Sequence, residues 1–143
     1  MIPYRSRQTV RFGDIDQAGI VYYPRILHFC HVAMEDYFAE ALDLDYSGVL
    51  GEERFGLPAV HVEIDFLRPL SYGDRIEVEV EVEELGRTSV HWRYTLYRAG
   101  DDAPLATARI VTVGVDLDRF EKRPLPPRLR SLFAASGPTQ PKE

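Results

Sequence analysis

Three runs between Ala59 and Arg98 alternate apolar and polar residues without a break, and nothing else in the chain restricts its fold as much. Ala59–Leu67 sets Val60, Val62, Ile64 and Phe66 against His61, Glu63 and Asp65. Arg75–Leu85 sets Ile76, Val78, Val80 and Val82 against Glu77, Glu79, Glu81 and Glu83. Thr88–Arg98 sets Val90, Trp92, Tyr94 and Leu96 against His91, Arg93, Thr95 and Tyr97. Successive side chains of a strand point to opposite faces, so each run is a strand with one buried and one wetter face. A fourth strand is expected at Leu105–Val115, which is rich in β-branched residues. The connections LGR at 85–87 and AGDD at 99–102 have hairpin length and carry glycine. The last three strands therefore form an antiparallel meander. The glutamate row 77–83 reads as a solvated sheet face that Arg93 partly neutralises across the strands.

Ahead of these runs, residues 4–12 read as a first strand. From Pro24 to about Leu42 the apolar residues recur at helical spacing: Ile26, Leu27, Cys30, Ala33, Met34, Tyr37, Phe38, Ala41 and Leu42. Such a helix is about 28 Å long and crosses a small sheet. Residues 43–58, mixing glycine, proline and charge, read as a loop with one short helical turn. One strand, one long amphipathic helix and four strands make an α+β layer, with the helix lying across a five-stranded antiparallel sheet. Residues 1–130 are read as one domain and 131–143 as a C-terminal tail, partly disordered.

Composition narrows the functional classes. The 143 residues suffice for one real core. A net charge of −6 argues against nucleic acid as a partner. Cys30 is the only cysteine, which excludes an internal disulfide and a cysteine metal cluster. No stretch approaches the ~18 apolar residues of a membrane span, and the charged N-terminal stretch lacks a signal-peptide core. The expectation is a soluble cytoplasmic protein that binds no membrane.

Chemistry concentrates in FGDIDQAGIVYYPR at 12–25. A strand-to-helix turn needs neither two carboxylates before a glycine nor two tyrosines before a proline. Pro24 suits the first helical turn, where its missing N–H is not needed. The N–H groups of Tyr23 and its neighbours then point into the loop, at a helix end that carries partial positive charge. They are suitable donors for a carbonyl oxygen turning into an oxyanion. Asp16 lies in a loop that Gly19 lets fold tightly, and would face those donors as a base or nucleophile, the arrangement of acyl transfer. The plainer alternative is that the aspartates cap a helix or close an Asx turn.

This stretch resembles the motif of hot-dog-fold acyl-CoA thioesterases of the 4-hydroxybenzoyl-CoA thioesterase type, and meets each of its positions from Phe12 to Pro24. The likeness covers about residues 4–125, and the element order is that of the hot-dog fold, a five-stranded antiparallel sheet wrapped around one long helix. It implies Asp16 as the catalytic carboxylate, either nucleophile or general base. It also implies the Tyr23 backbone N–H as the donor polarising the thioester carbonyl, Gly19 as the loop's turn residue, and Asp14 as structural. Relatives hold the CoA phosphates where the second long strand turns into the third. Here that segment is LGRTS at 85–89, giving Arg87 with Thr88 and Ser89, although a solvated turn residue explains Arg87 as well. The resemblance implies an acyl-CoA substrate with an aromatic or short- to medium-chain acyl group, and no cofactor or metal. It further implies a homodimer or a dimer-of-dimers tetramer with sites between subunits.

Other constellations admit two readings each. His28, His31 and Glu35 share a helix face at metal-ligand spacing, but His31 and Glu35 also make an ordinary i, i+4 pair. Another hot-dog branch uses a carboxylate from the helix as its catalyst, a role Glu35 offers here as the alternative to a polar-face or interface residue, which is ranked first. His61 either contacts the acyl group, orients Asp16 or water, or is a hydrogen-bonded structural histidine. Tyr22, Tyr23, Phe29 and Phe55 either line an aromatic acyl pocket or fill the core. The competing functions are a hot-dog dehydratase or hydratase, which the Asp16-x-x-Gly19 loop disfavours, and a non-catalytic acyl-CoA or acyl-carrier binder, which the presence of Asp16 disfavours.

Overall fold

The computed structural model describes residues 3–136. Strand β1 (Tyr4–Thr9) and a single 3-10 turn (Phe12–Asp14) lead to helix α1 (Arg25–Glu40). Helix α2 (Tyr46–Glu53) and the two-residue strand β2 (Phe55–Gly56) follow. Four long strands come next: β3 (Ala59–Phe66), β4 (Arg75–Leu85), β5 (Ser89–Arg98) and β6 (Pro104–Val113). Short strands β7 (Val115–Asp116) and β8 (Glu121–Lys122) and helix α3 (Pro127–Ser136) close the chain. The main sheet is antiparallel in the order β1-β4-β5-β6-β3. The expected meander is present, and so is the expected helix over a five-stranded sheet.

Register places the alternation as predicted on the central strands. Val78 lies opposite Leu96 and Val80 opposite Tyr94, which in turn faces Ala108. These side chains are buried beneath α1, whose Ile26, Phe29, Cys30, Ala33, Tyr37 and Phe38 point inward. Each large side chain so buried contributes about 1.5–3 kcal/mol. Trp92 is the hub, with its ring 5.8 Å from Tyr37 and 5.5 Å from Phe133.

Five expectations are corrected. Residues 43–58 hold an eight-residue helix rather than one turn; Arg54, in the left-handed region at φ 49°, ends it. The apolar face of β3 is not buried within the chain, because α1 lies over β1, β4 and β5 and does not reach this edge. The glutamate row is not a solvated face: Glu79 is only 9% exposed and the others are half-buried. Arg5 grips Glu77 and Glu79 at 3.0 Å, and Arg93 and Arg109 approach Glu83 at 3.5 and 3.6 Å. The strand expected to run to Val115 ends at Val113, and Gly114 turns it into β7. A Cβ there would lie 2.6 Å from both the Arg123 carbonyl oxygen and the Phe55 ring. Finally, the expected domain boundary at 130/131 falls inside α3, whose Phe133 is fully buried in the core. The disorder expected of the tail concerns, beyond Ser136, residues outside those described.

Candidate active site

The loop between β1 and α1 is folded by its own aspartates. Asp14 is buried, with its side chain 7% exposed. Its carboxylate accepts the Arg11 N–H at 2.8 Å and the Arg25 guanidinium at 2.9 and 2.6 Å. Its carbonyl accepts the Tyr22 N–H at 2.9 Å. Every acceptor is committed to holding the loop against the helix, which is the structural role expected of Asp14.

Asp16, two residues on, is exposed. Its N–H donates to the Ile20 carbonyl at 3.0 Å and its carbonyl accepts the Gly19 N–H at 3.0 Å. Gly19 stands at φ +84°, a conformation that costs a side chain but not glycine. One carboxylate oxygen, Oδ1, accepts the Ala18 N–H at 2.8 Å, so the Asx turn is real. The other, Oδ2, has no hydrogen-bond partner among the described residues. The loop is pinned at its far side by bridges Ile15–Val21 and Ile20–Ser71.

At the mouth of α1, the carbonyls of Tyr22, Tyr23 and Pro24 accept the first helical N–H groups at 2.8–3.2 Å. The Tyr23 N–H donates to nothing among the described residues, as an oxyanion donor must before substrate arrives. The Tyr23 ring packs edge-on to Tyr22 at 5.5 Å and to Phe66 of β3 at 6.2 Å. All three rings are half or more exposed, an apolar surface beside an exposed carboxylate.

The remaining expected residues are not gathered there. Arg87, Thr88 and Ser89 lie in the β4–β5 turn, at the opposite end of the sheet from the Asp16 loop. Eleven residues of β4 separate the two ends, about 35 Å of strand. The Arg87 side chain is exposed, while its carbonyl accepts Arg130 of α3 at 3.0 Å and the Leu125 N–H at 3.2 Å. Arg130, absent from the sequence reading, thus adds a second guanidinium at this turn; a helix inside the supposed tail concealed it. His61 is hydrogen-bonded to Glu63 at 3.0 Å, on the sheet face away from α1. It does not touch Asp16. His31 pairs with Glu35 at 3.1 Å as an i, i+4 pair, and His28 stands apart from them. Phe29 and Phe55 are core residues.

Sequence reasoning missed a cavity of about 370 Å3 between α1, α2 and the β3 side of the sheet. Leu27, His31, Met34 and Tyr46 form its helical wall, and Trp92 and Tyr94 its floor. Its size and aromatic lining suit a ring-bearing ligand. The signal was present in the spacing of Leu27, His31 and Met34, a stripe beside the core stripe. What could not be read was that β3 stands clear of the helix.

Comparison with known proteins agrees with this architecture. The model of the thioesterase-like superfamily matches residues 10–133, and the chain belongs to that family. The 1,4-dihydroxy-2-naphthoyl-CoA hydrolase of Synechococcus elongatus is 36% identical over 131 residues, covering 91% of this chain and 94% of its own. The structure of a 1,4-dihydroxy-2-naphthoyl-CoA thioesterase from Synechocystis is 28% identical, covers 92% of this chain and 95% of its own, and superimposes with a TM-score of 0.84. That of a gentisyl-coenzyme A thioesterase is 26% identical, covers 92% of this chain and all of its own, and has a TM-score of 0.81. The hot-dog fold and the expectation of an acyl-CoA thioester hydrolase are both borne out.

Proposed function

We propose that this chain hydrolyses the thioester of an aromatic acyl-CoA to the free acid and CoA, with Asp16 as the reacting carboxylate. The observation that carries the reading is an exposed carboxylate and an unpaired helix-mouth N–H, Tyr23, on one pinned loop. The aromatic substrates named for the relatives support the acyl class, as do the aromatic surface of Tyr22, Tyr23 and Phe66 and the ring-sized cavity.

In the general-base form, water attacks the thioester carbonyl carbon and gives its proton to Asp16. The carbonyl oxygen becomes an oxyanion at the Tyr23 N–H. Collapse breaks the C–S bond, and the departing thiolate takes the proton from Asp16. In the nucleophilic form, an Asp16 oxygen attacks instead, CoA leaves, and water cleaves the resulting anhydride.

A homodimer completes the site. β3 is a bare edge with Val62 and Phe66 exposed, a surface that a second copy covers by strand pairing. Antiparallel pairing of β3 with its copy sets the Asp16 end of one protomer beside the Arg87 end of the other. Arg87, with Thr88 and Ser89, then holds the CoA phosphates of a substrate whose thioester lies at the other protomer's Asp16. Tyr22 walls the acyl side, and His61 lies on the strand that forms the seam. Two such dimers assemble into a tetramer.

The test is thiol release from benzoyl-, hydroxybenzoyl-, phenylacetyl- and fatty acyl-CoAs by the wild type and Asp16→Asn. A loss of at least ~100-fold is expected for the variant, with aromatic esters preferred. The Asx turn at Asp16 favours one second reading, that the carboxylate only closes the loop and the chain binds acyl-CoA without cleaving it. Equal activity of the two proteins, or none in the wild type, would favour it.

A further inference from the structure

A second, chemically different groove lies beyond the thioester site, along the free edge of β1 and the first turns of α1. It encloses about 630 Å3, and Arg7, Arg11, Arg25 and His28 stand in its wall with Asp14 as the lone carboxylate. Local structure puts them there. Arg7 projects from an edge strand, Arg11 sits at the entry to the 3-10 turn, and Arg25 and His28, three apart, share one side of the helix.

The charge balance of this groove is unusual for an acidic chain of net charge −6. Asp14 is matched to Arg25, both of whose bonded nitrogens meet the same Oδ1. Arg7 and Arg11 are exposed and have no ion pair among the described residues. Three guanidinium groups against one carboxylate leave two positive charges uncompensated. Elsewhere Arg5, Arg93 and Arg109 neutralise the glutamate row and Arg98 pairs with Asp74 at 3.1 Å, while Arg75, Arg87, Arg119, Arg128 and Arg130 also lack an ion pair among the described residues; what sets Arg7 and Arg11 apart is that they share one groove with Arg25. A groove that holds back two planar guanidinium forks is suited to a dianion with several oxygens in fixed geometry, as a phosphate monoester has. A single carboxylate would neutralise only half of the excess.

We infer that the Arg7–Arg11–Arg25 groove is a phosphate-monoester site, separate from the Arg87 turn. Its occupant is either an independent phosphate or, if CoA does not run to the Arg87 turn as proposed above, the 3′-phosphate of CoA, and it does not depend on Asp16 chemistry. The experiment is isothermal titration of the wild type, Arg7→Gln/Arg11→Gln and Arg87→Gln with CoA, 3′-dephospho-CoA and inorganic phosphate at one fixed ionic strength. The Asp14 cap uses the peptide N–H of Arg11, which the substitution retains. Matching melting curves check that the double variant is folded, and Arg7→Gln alone serves if it is not.

The double variant should bind CoA or phosphate at least ~10-fold more weakly than the wild type, the scale of lost charged hydrogen bonds. Loss of the same factor on going from CoA to 3′-dephospho-CoA with the wild type assigns the site to the nucleotide's own phosphate. Undiminished phosphate binding at saturating CoA assigns it to an independent phosphate. Either result supports the site. Unchanged affinities in the double variant, a loss confined to Arg87→Gln, or no binding of either probe by the wild type overturns it. Thiol release is read separately. An active hydrolase with an inert groove sinks this inference alone, and a phosphate-binding protein that cleaves nothing sinks the hydrolase alone.

Discussion

β1 and β3 are the two edges of one sheet, and each has a single strand partner. On β1 the side chains turned toward α1 are all tied to it. Tyr4 donates to Glu40 at 2.9 Å, Ser6 to Asp36 at 2.5 Å, and Gln8 to the Phe29 carbonyl at 2.9 Å. On β3 the corresponding side chains are Val62, Ile64 and Phe66; only Ile64 packs partly against the core, and a cavity separates Val62 from α1 and α2. Phe66 is 55% exposed, with its ring edge-on to that of Tyr23, which is 64% exposed. One edge is finished within the chain and the other waits for a second surface. The candidate site lies at the unfinished edge, where an apolar ligand or a second copy gains most from burial.

Substitutions can break this contrast. Phe66→Glu should have the largest effect, reducing the native mass to that of one chain and thiol release by ~100-fold or more, if pairing of β3 completes the site. Light scattering beside the thiol assay reads both, and a fully active variant of unchanged mass would refute the pairing. Asp14→Asn should do the reverse, costing about 1–2 kcal/mol because Arg25, itself 39% exposed, loses a charged hydrogen-bond partner, while mass stays constant. A melting temperature lower by about 3–8 °C is the measure. Ser6→Ala, at a residue only 1% exposed, removes a hydrogen bond from the finished edge and should cost about 1 kcal/mol with assembly intact.

The smallest effect concerns the outer face. Burial and a hydrogen bond that the protonated Glu81 carboxyl donates to the neighbouring Glu79 carboxylate push Glu81 above its ordinary value of 4.5. The folded chain therefore holds this proton more tightly than the unfolded chain. The stability this contributes is present below pH 4.5 and is lost as pH rises through the raised value. Glu81→Gln should stabilise the protein at neutral pH by less than about 1 kcal/mol, after allowance for solvent screening, and the gain should vanish in acid. Melting curves across pH 4–8 would show it, and a gain that does not depend on pH would count against the shared proton.

Much of the fold was legible because it is periodic. Alternation placed Val78, Val80, Trp92 and Tyr94 on one face, and helical spacing placed Phe38 and Tyr37 against them. The structural role of Asp14 followed from the resemblance to the family motif, and its bonds to Arg11 and Arg25 agree with it. Helix α2 was not legible, because two glycines and a weak apolar stripe hide it, nor was α3, whose buried anchors are only Leu129 and Phe133. The cavity beside His31 and the groove of Arg7 and Arg11 were also unreadable, since each joins residues from separate elements.

By itself, then, the sequence determined which residues face together: local periodicity depends on backbone geometry, which every residue shares. It determined as well that the loop from Phe12 to Pro24 closes on Asp16 and Gly19. Tertiary structure alone decided what lies above each face. A side chain's burial depends on the reach of other elements, and α1 reaches β1, β4 and β5 but not β3. That difference in reach left Val62 and Phe66 bare and opened the cavity, while the length of β4 set Arg87 at the far end of the sheet from Asp16.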